Sequence, residues 1–199
     1  MQYMIRKPAI VIVAAGQSSR LGSPKQLLQF NGKSLLQHAV HEALKTNLPV
    51  IVVIGANNDL VQTEVTGLEV TIIENKRWQQ GMSTSLHCGL MAAQNAERDL
   101  DGIIFMVSDQ PFVSTLLLDD LLRTQRETGL PIIASDYGDT PGTPVLFHKI
   151  FFEELKNLYG DAGAKKLIET HKNLTAAVPF PKGKIDIDTK EDYETLLRE

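Results

Sequence analysis

Apolar, β-branched runs alternate with stretches of helical period along the first two-thirds of the chain. The runs at 9–14, 50–54, 70–73, 103–107 and 131–135 are short and nearly free of polar residues, the pattern of strands buried on both faces. Between them, 34–46 repeats its apolar residues at helical spacing, with Leu35, Leu36, Ala39, Val40, Ala43 and Leu44 on one face. Segments 83–95 and 114–127 also read as helices, with Ser83 and Ser114 as their N-caps. Beyond residue 135 the regularity weakens. There 136–143 is turn-rich, 145–147 and 176–178 are short strand candidates, and 150–158, 162–171 and 189–198 read as helices. Strands alternating with helices predict a parallel sheet covered on both faces. No repeat, low-complexity tract or linker interrupts the pattern, so the expectation is one doubly wound α/β domain over residues 1–199, with a mostly parallel sheet.

The end of the first apolar run carries the most chemistry. Ala14, Ala15 and Gly16 form a small-residue turn, and the loop after it holds two cations, Arg20 and Lys25, around a flexible Gly22. Small side chains let backbone N–H groups approach an anion while the cations neutralise it, which suits a triphosphate at the carboxyl end of a first strand. The Walker loop does not account for it: Gly32-Lys33-Ser34 supplies the end of that motif, but Leu27 stands where its first Gly belongs. The dinucleotide fingerprint Gly-x-Gly-x-x-Gly is absent as well. A second strand end, at 103–107, runs into Ser108-Asp109-Gln110-Pro111. Asp109 there reads either as a turn-capping residue or as a Mg²⁺ ligand that leaves the other octahedral positions to phosphate and water, and the cationic loop favours the metal.

Residues 13–25 resemble Leu-Ala-Ala-Gly-x-Ser-x-Arg-Met-Gly-x-x-Lys, the signature of the molybdenum cofactor nucleotidyltransferases, with Val13 and Leu21 as apolar departures from it. Four further segments follow the family in order. Ser108-Asp109-Gln110-Pro111 is one. Ile185-Asp186-Ile187-Asp188-Thr189-Lys190-Glu191-Asp192 resembles Asp-x-Asp-Thr-Pro-Glu-Asp, with Lys190 in place of Pro. The stretch from Asn75 through Gly81-Met82-Ser83-Thr84-Ser85 resembles the family's Asn…Gly-Met-x-x-Ser. Gly142-Thr143-Pro144-Val145-Leu146-Phe147 and Gly160-Asp161-Ala162-Gly163-Ala164 resemble segments of its acceptor side.

The resemblance implies a Rossmann-like nucleotidyltransferase that moves a nucleotidyl group from an NTP to the terminal phosphate of molybdopterin or its metal-loaded form, releasing pyrophosphate. It implies Arg20 and Lys25 on the triphosphate, with Asp109 and Asp188 as ligands of a Mg²⁺ cofactor. It also implies Ala14, Ala15, Gly16, Asn75, Gly81, Ser83 and Ser85 around the nucleotide. Family members that use CTP tend to carry Ala-Ala-Gly where GTP users carry Ala-Gly-Gly, so Ala15 points to CTP. The product would pass to a recipient molybdoenzyme or chaperone.

Bland readings stand beside these. Asn75, Ser83 and Ser85 serve equally as helix-capping groups, Asp188 or Thr189 as the cap of the last helix, and Trp78, Leu146 and Phe147 as packing. Cytidylyl or uridylyl transfer to a sugar or polyol phosphate is the rival reaction, and a non-catalytic nucleotide-binding regulator the rival class. Pyrophosphate release and an acceptor screen separate the three.

Composition narrows the surroundings. The net charge of −4 offers no general basic field for nucleic acid, so cations near a nucleotide must be local. One cysteine, Cys88, allows no intrachain disulfide and suits a reducing compartment. No apolar run approaches the roughly 20 residues of a membrane span, and 1–7 lacks a signal-peptide stretch. The expectation is a cytoplasmic enzyme with small-molecule substrates that binds neither nucleic acid nor membrane. The five histidines pair with neither Cys88 nor a Ser motif, as direct transfer without a covalent intermediate allows.

Overall fold

The computed structural model describes residues 3–18, 21–187 and 189–198. In chain order the elements are β1 (Pro8–Ala14), β2 (Gln29–Phe30), β3 (Lys33–Ser34), α1 (Leu35–Leu44), β4 (Val50–Ile54), α2 (Asn58–Thr63), β5 (Thr71–Glu74) and α3 (Met82–Ala96). They continue with β6 (Gly102–Val107), α4 (Thr115–Thr128), β7 (Ile132–Asp136), β8 (Pro141–His148), α5 (Phe152–Lys156), α6 (Lys165–Thr170), β9 (Thr175–Pro179) and α7 (Lys190–Leu196). Seven strands form one sheet in the order β5-β4-β1-β6-β8-β7-β9. Pairing is parallel except where β8 runs antiparallel between β6 and β7. The doubly wound, mostly parallel sheet of the sequence reading is present.

Strand alternation sorts the core into two layers. Ile10, Ile12 and Ala14 of β1 face α1 and α4, among Leu36, Val40, Leu118 and Leu121. Ala9, Val11 and Val13 face the other way, onto Leu86 and Leu90 of α3 and onto Leu155 and Ile168 of α5 and α6. All seven residues of β1 are buried, which is why its sequence shows an unbroken apolar run rather than alternation. Each Val or Ile side chain among them contributes roughly 1.5–3 kcal/mol on leaving water, so both faces must be covered for the strand to persist.

Several expectations are corrected. The short candidate at 145–147 is part of the second half of an eight-residue strand, β8, which lies inside the sheet between β6 and β7. Leu146 and Phe147 are fully buried and face no cleft. Ser83 is not the cap of α3; Gly81 is, and Ser83 lies inside the helix. The helices at 150–158 and 162–171 are shorter, α5 and α6, with a turn at 160–163 before the second. Helix α2 and the β2–β3 hairpin were not foreseen. Thr189 caps α7 in a capping box with Asp192, one of the two caps left open, and Ser114 caps α4 as expected. Among the described residues no helix is long and apolar enough to cross a membrane.

One carboxylate clamps α1 to α4. Glu42 accepts the Thr115 amide at 2.8 Å and its hydroxyl at 2.7 Å, and pairs with Lys45. Burial alone would push the Glu42 carboxyl up; the hydrogen bonds from Lys45 and Thr115 outweigh that and hold it at about 2. A depressed carboxyl stabilises the fold above its unfolded pKa, and that stability is lost as pH falls toward the folded value. Glu42→Gln is therefore expected to cost about 1–2 kcal/mol at neutral pH. The gap should narrow from about pH 5 downward and close only near about pH 1, below both the unfolded and the folded value. Thermal melts across that range check it; a gap independent of pH would show that the Glu42 charge contributes nothing.

Candidate active site

The carboxyl ends of β1 and β6 meet where the sheet's parallel strands stop, the usual ligand crevice of such a sheet. The chain leaves β1 at Ala14 and is caught by Gln26, a side chain only 1 % exposed. Its Nε2 donates to the carbonyls of Ala14 and Gly16, both at 2.9 Å, which fixes the small-residue turn. Ala15 passes its own carbonyl to the Ala56 amide at 3.1 Å, docking the turn on the end of β4. Farther along, Ser18 Oγ accepts the Lys25 amide at 3.0 Å, so the cationic loop is folded back on its origin.

That folding delivers Lys25 to Asp109. The two side chains form an ion pair and are 19 % and 12 % exposed. Asp109 stands just beyond β6, where the Ser108 amide still bonds the Val13 carbonyl at 3.3 Å. The pair lies in a cleft of about 610 Å³ whose other walls include Tyr137, Thr143, Lys184 and Asp186. A side pocket of about 290 Å³ opens beside it, lined by Ala15, Gly16, Trp78, Gly81, Ser85 and Asp161. Val13 and Met82 belong to both and form the wall between them.

The structure thus gathers Ala15, Gly16, Gly81 and Ser85 at one pocket, and Lys25 and Asp109 at the adjoining cleft. Arg20 and Asp188 lie outside the described residues. Three other expected nucleotide residues sit behind the pocket wall. Ala14 is buried in the sheet and lines neither space. Asn75 spends its amide on Thr84 Oγ1 (2.8 Å) and Ser85 Oγ (3.0 Å) and takes the Arg77 amide on its oxygen (2.9 Å). With its hydrogen bonds committed and 4 % of its surface exposed, it shapes the wall. Ser83 is buried too, and its hydroxyl has no partner among the described residues.

Gly81 seats the turn that borders both spaces. Its φ is 103°, in the left-handed region, and a Cβ there would run into the Gly160 carbonyl. The Ser83 amide donates to that same carbonyl at 3.1 Å, so the 160–163 turn is laid against the start of α3. Asp161 then faces the side pocket while Gly163 and Ala164 line the cleft. Sequence reasoning placed this turn on the acceptor side alone. It also missed Gln26, Gln110 and Tyr137, single polar residues in apolar or turn-rich surroundings that no spacing marks out.

Among the described residues, no three His, Cys, Asp or Glu side chains are grouped to hold a metal by themselves. Asp109 and Asp186 both line the cleft, a hard-oxygen set that suits Mg²⁺ arriving with phosphates better than a resident cation in a protein cage.

Known proteins resemble this chain over nearly its whole length. Purine catabolism protein PucB of Bacillus subtilis is 28% identical, over 94% of this chain and 95% of its own length. A molybdenum cofactor guanylyltransferase of Vibrio parahaemolyticus is 27% identical over 92% of this chain and 91% of its own. The crystal structure of Rv0371c from Mycobacterium tuberculosis H37Rv superposes with a TM-score of 0.84 at 26% identity, covering 98% of this chain and 100% of that one. The MobA-like NTP transferase domain is matched over residues 10–175, which takes in the turn after β1, the Lys25–Asp109 pair and the wall shared by both pockets. The chain belongs to that family and is a nucleotidyltransferase.

Proposed function

We propose that the protein transfers a cytidylyl group from CTP to the terminal phosphate of molybdopterin, or of its molybdenum-loaded form, and releases pyrophosphate. The observation that carries the reading is the pair of adjoining spaces, with the Lys25–Asp109 pair in the larger one. The side pocket takes base and ribose, and the cleft takes the phosphates and the acceptor. An oxygen of the acceptor's phosphate attacks the α-phosphorus; the bond from that phosphorus to the bridging oxygen breaks, and pyrophosphate carries the electron pair away. The chain's work is placement and charge. Lys25 neutralises triphosphate and departing pyrophosphate, with Arg20 assigned the same part. Asp109 and Asp188 would hold Mg²⁺, and Asp186 lines the same cleft as Asp109. When bound, Mg²⁺ offsets phosphate charge and polarises the α-phosphoryl group.

The choice of base rests on Ala15. It lines the side pocket, and its methyl packs toward Gly55, where an added Cβ would come within 2.8 Å. Ala15 thus stands on the pocket lining at the position where GTP users in the resembled family carry Gly, and we read its larger side chain as favouring the smaller pyrimidine. The acceptor rests on the cleft walls: Met82, Leu86, Phe105, Val107 and Tyr137 give an apolar surface for a fused ring. A relative named for molybdenum cofactor chemistry supports that class, although its name specifies guanylyl transfer.

Asp109→Asn, which keeps shape and removes charge, is expected to lower pyrophosphate release on the order of a hundredfold or more with little change in melting temperature. Chelation should abolish turnover in the parent protein and added Mg²⁺ should restore it. Full activity in a folded Asp109→Asn protein would remove Asp109 from the site. In competition CTP should outpace GTP, and molybdopterin should drive pyrophosphate release from CTP where erythritol phosphate and sugar phosphates do not. A GTP preference would overturn the base assignment, and turnover with a polyol phosphate alone would overturn the acceptor.

A further inference from the structure

Gln110 follows Asp109 directly, is only 4 % exposed, and has its amide engaged on both sides. Its Nε2 donates to Tyr137 Oη at 2.7 Å and to the Gly183 carbonyl at 2.9 Å, and its Oε1 accepts from Thr143 Oγ1 at 3.1 Å. Tyr137 Oη in turn donates to the Thr143 carbonyl at 2.6 Å. One side chain at the end of β6 thereby gathers partners 27, 33 and 73 residues away.

The partners belong to the two segments that form the outer wall of the cleft. One is the loop from Tyr137 into β8, which carries Asp139 and Thr143. The other is the turn at Pro181–Lys184, which leads to Asp186. Tyr137 is the buttress between them. A Cβ on either Gly142 or Gly183 would run into its ring, and the ring meets Phe180 edge-on, with centroids 6.1 Å apart at 73°. Asp139 and Lys184 close the outer rim at 3.0 Å. Burial first, and the charge of Asp186 as well, push the Tyr137 phenol up, so its hydroxyl keeps its proton for Thr143. No residue of this network lines the side pocket.

We propose that Gln110 is a positioning residue for the acceptor: its amide, working through Tyr137, sets the distance between Asp109 and the wall that carries Thr143, Lys184 and Asp186. This rests on the two-space reading of the site and adds the element that aligns one space with the reacting groups. A buried amide with each partner satisfied holds a single arrangement, and its removal leaves the Gly183 carbonyl and the Thr143 hydroxyl without the partner they have in the fold. Acceptor placement should suffer most, while the pocket for the base and ribose of CTP, built on β1, α3 and the 160–163 turn, should be left intact.

The test uses the full chain with Gln110→Met, which keeps length and bulk but removes the amide, and Tyr137→Phe, which keeps the ring. Hydrogen exchange at 137–143 and 181–186 should quicken on the order of tenfold in Gln110→Met, with 14–18 unchanged. CTP affinity by calorimetry should stay within about twofold of the parent. With molybdopterin as acceptor, its KM should rise on the order of tenfold while that of CTP holds, and Tyr137→Phe should move the same way by less. Unchanged exchange in both wall segments, or KM values for CTP and molybdopterin rising together, would overturn the proposal. A parent protein that releases no pyrophosphate with molybdopterin sinks the acceptor assignment instead; exchange and CTP affinity then decide for Gln110.

Discussion

The ion pair between Lys25 and Asp109 is the constraint on which the site depends. The two residues are 84 positions apart, and each is mostly removed from water. Neither charge would be stable alone in that setting, because desolvation of an unpaired ion costs several kcal/mol. Together they offset one another, and the loop that leaves β1 acquires an end point. Gln26 and Ser18 complete its path, so the small-residue turn and the cation are held by the same short stretch of chain. What makes the loop fit for phosphate is therefore set by a carboxylate on another strand.

The antiparallel strand explains how a largely parallel sheet acquires a deep cleft. Parallel neighbours need long crossovers, which carry the chain away to the far end of the sheet. Because β8 reverses direction, β7 and β8 join by a short connection on the same edge as the ends of β1 and β6. That connection brings Tyr137, Asp139 and Thr143 to the cleft with no helix between. The turn at Pro181–Lys184 reaches the same edge after β9, which runs parallel to β7.

Much of this was legible before the fold was known, and the reasons differ by element. β1, β4 and β6 came out within a residue or two because each is buried on both faces and reads as a continuous apolar run. α4 was visible through its Ser114 cap and its periodicity. The hairpin at 29–34 carried a signal that was passed over: Asn31 and Gly32 both adopt positive φ, as an Asn-Gly turn predicts. α2 gave less warning, since its six residues follow an N-cap, Asn57, in a left-handed conformation and show almost no apolar stripe. Lys25 and Asp109 stood out because charges just beyond buried apolar strands are unusual, and the structure brings the two together. Asn75 and Ser83 could be read as ligands or as helix-start groups, because a polar residue near a helix start has the same composition in either role; the structure buries both and bonds Asn75 to Thr84 and Ser85. Gln110 and Tyr137 were invisible: a buried polar network is made by contacts across 27 to 73 residues and leaves no period in the chain.

The contact of Gly81 with Gly160 bears on how such a chain can change over time. Surface connections ordinarily tolerate added or deleted residues, because nothing beyond their two ends depends on their length. Here the 160–163 turn is pressed onto the first residues of α3, with the Gly160 carbonyl against the Cα of Gly81 and bonded to the Ser83 amide. An insertion would lift the turn from the helix and open two ligand spaces at once. Length variation in this protein is therefore expected to collect elsewhere, in stretches such as 45–49 that touch neither space, while the 160–163 turn keeps its size even as its side chains diverge.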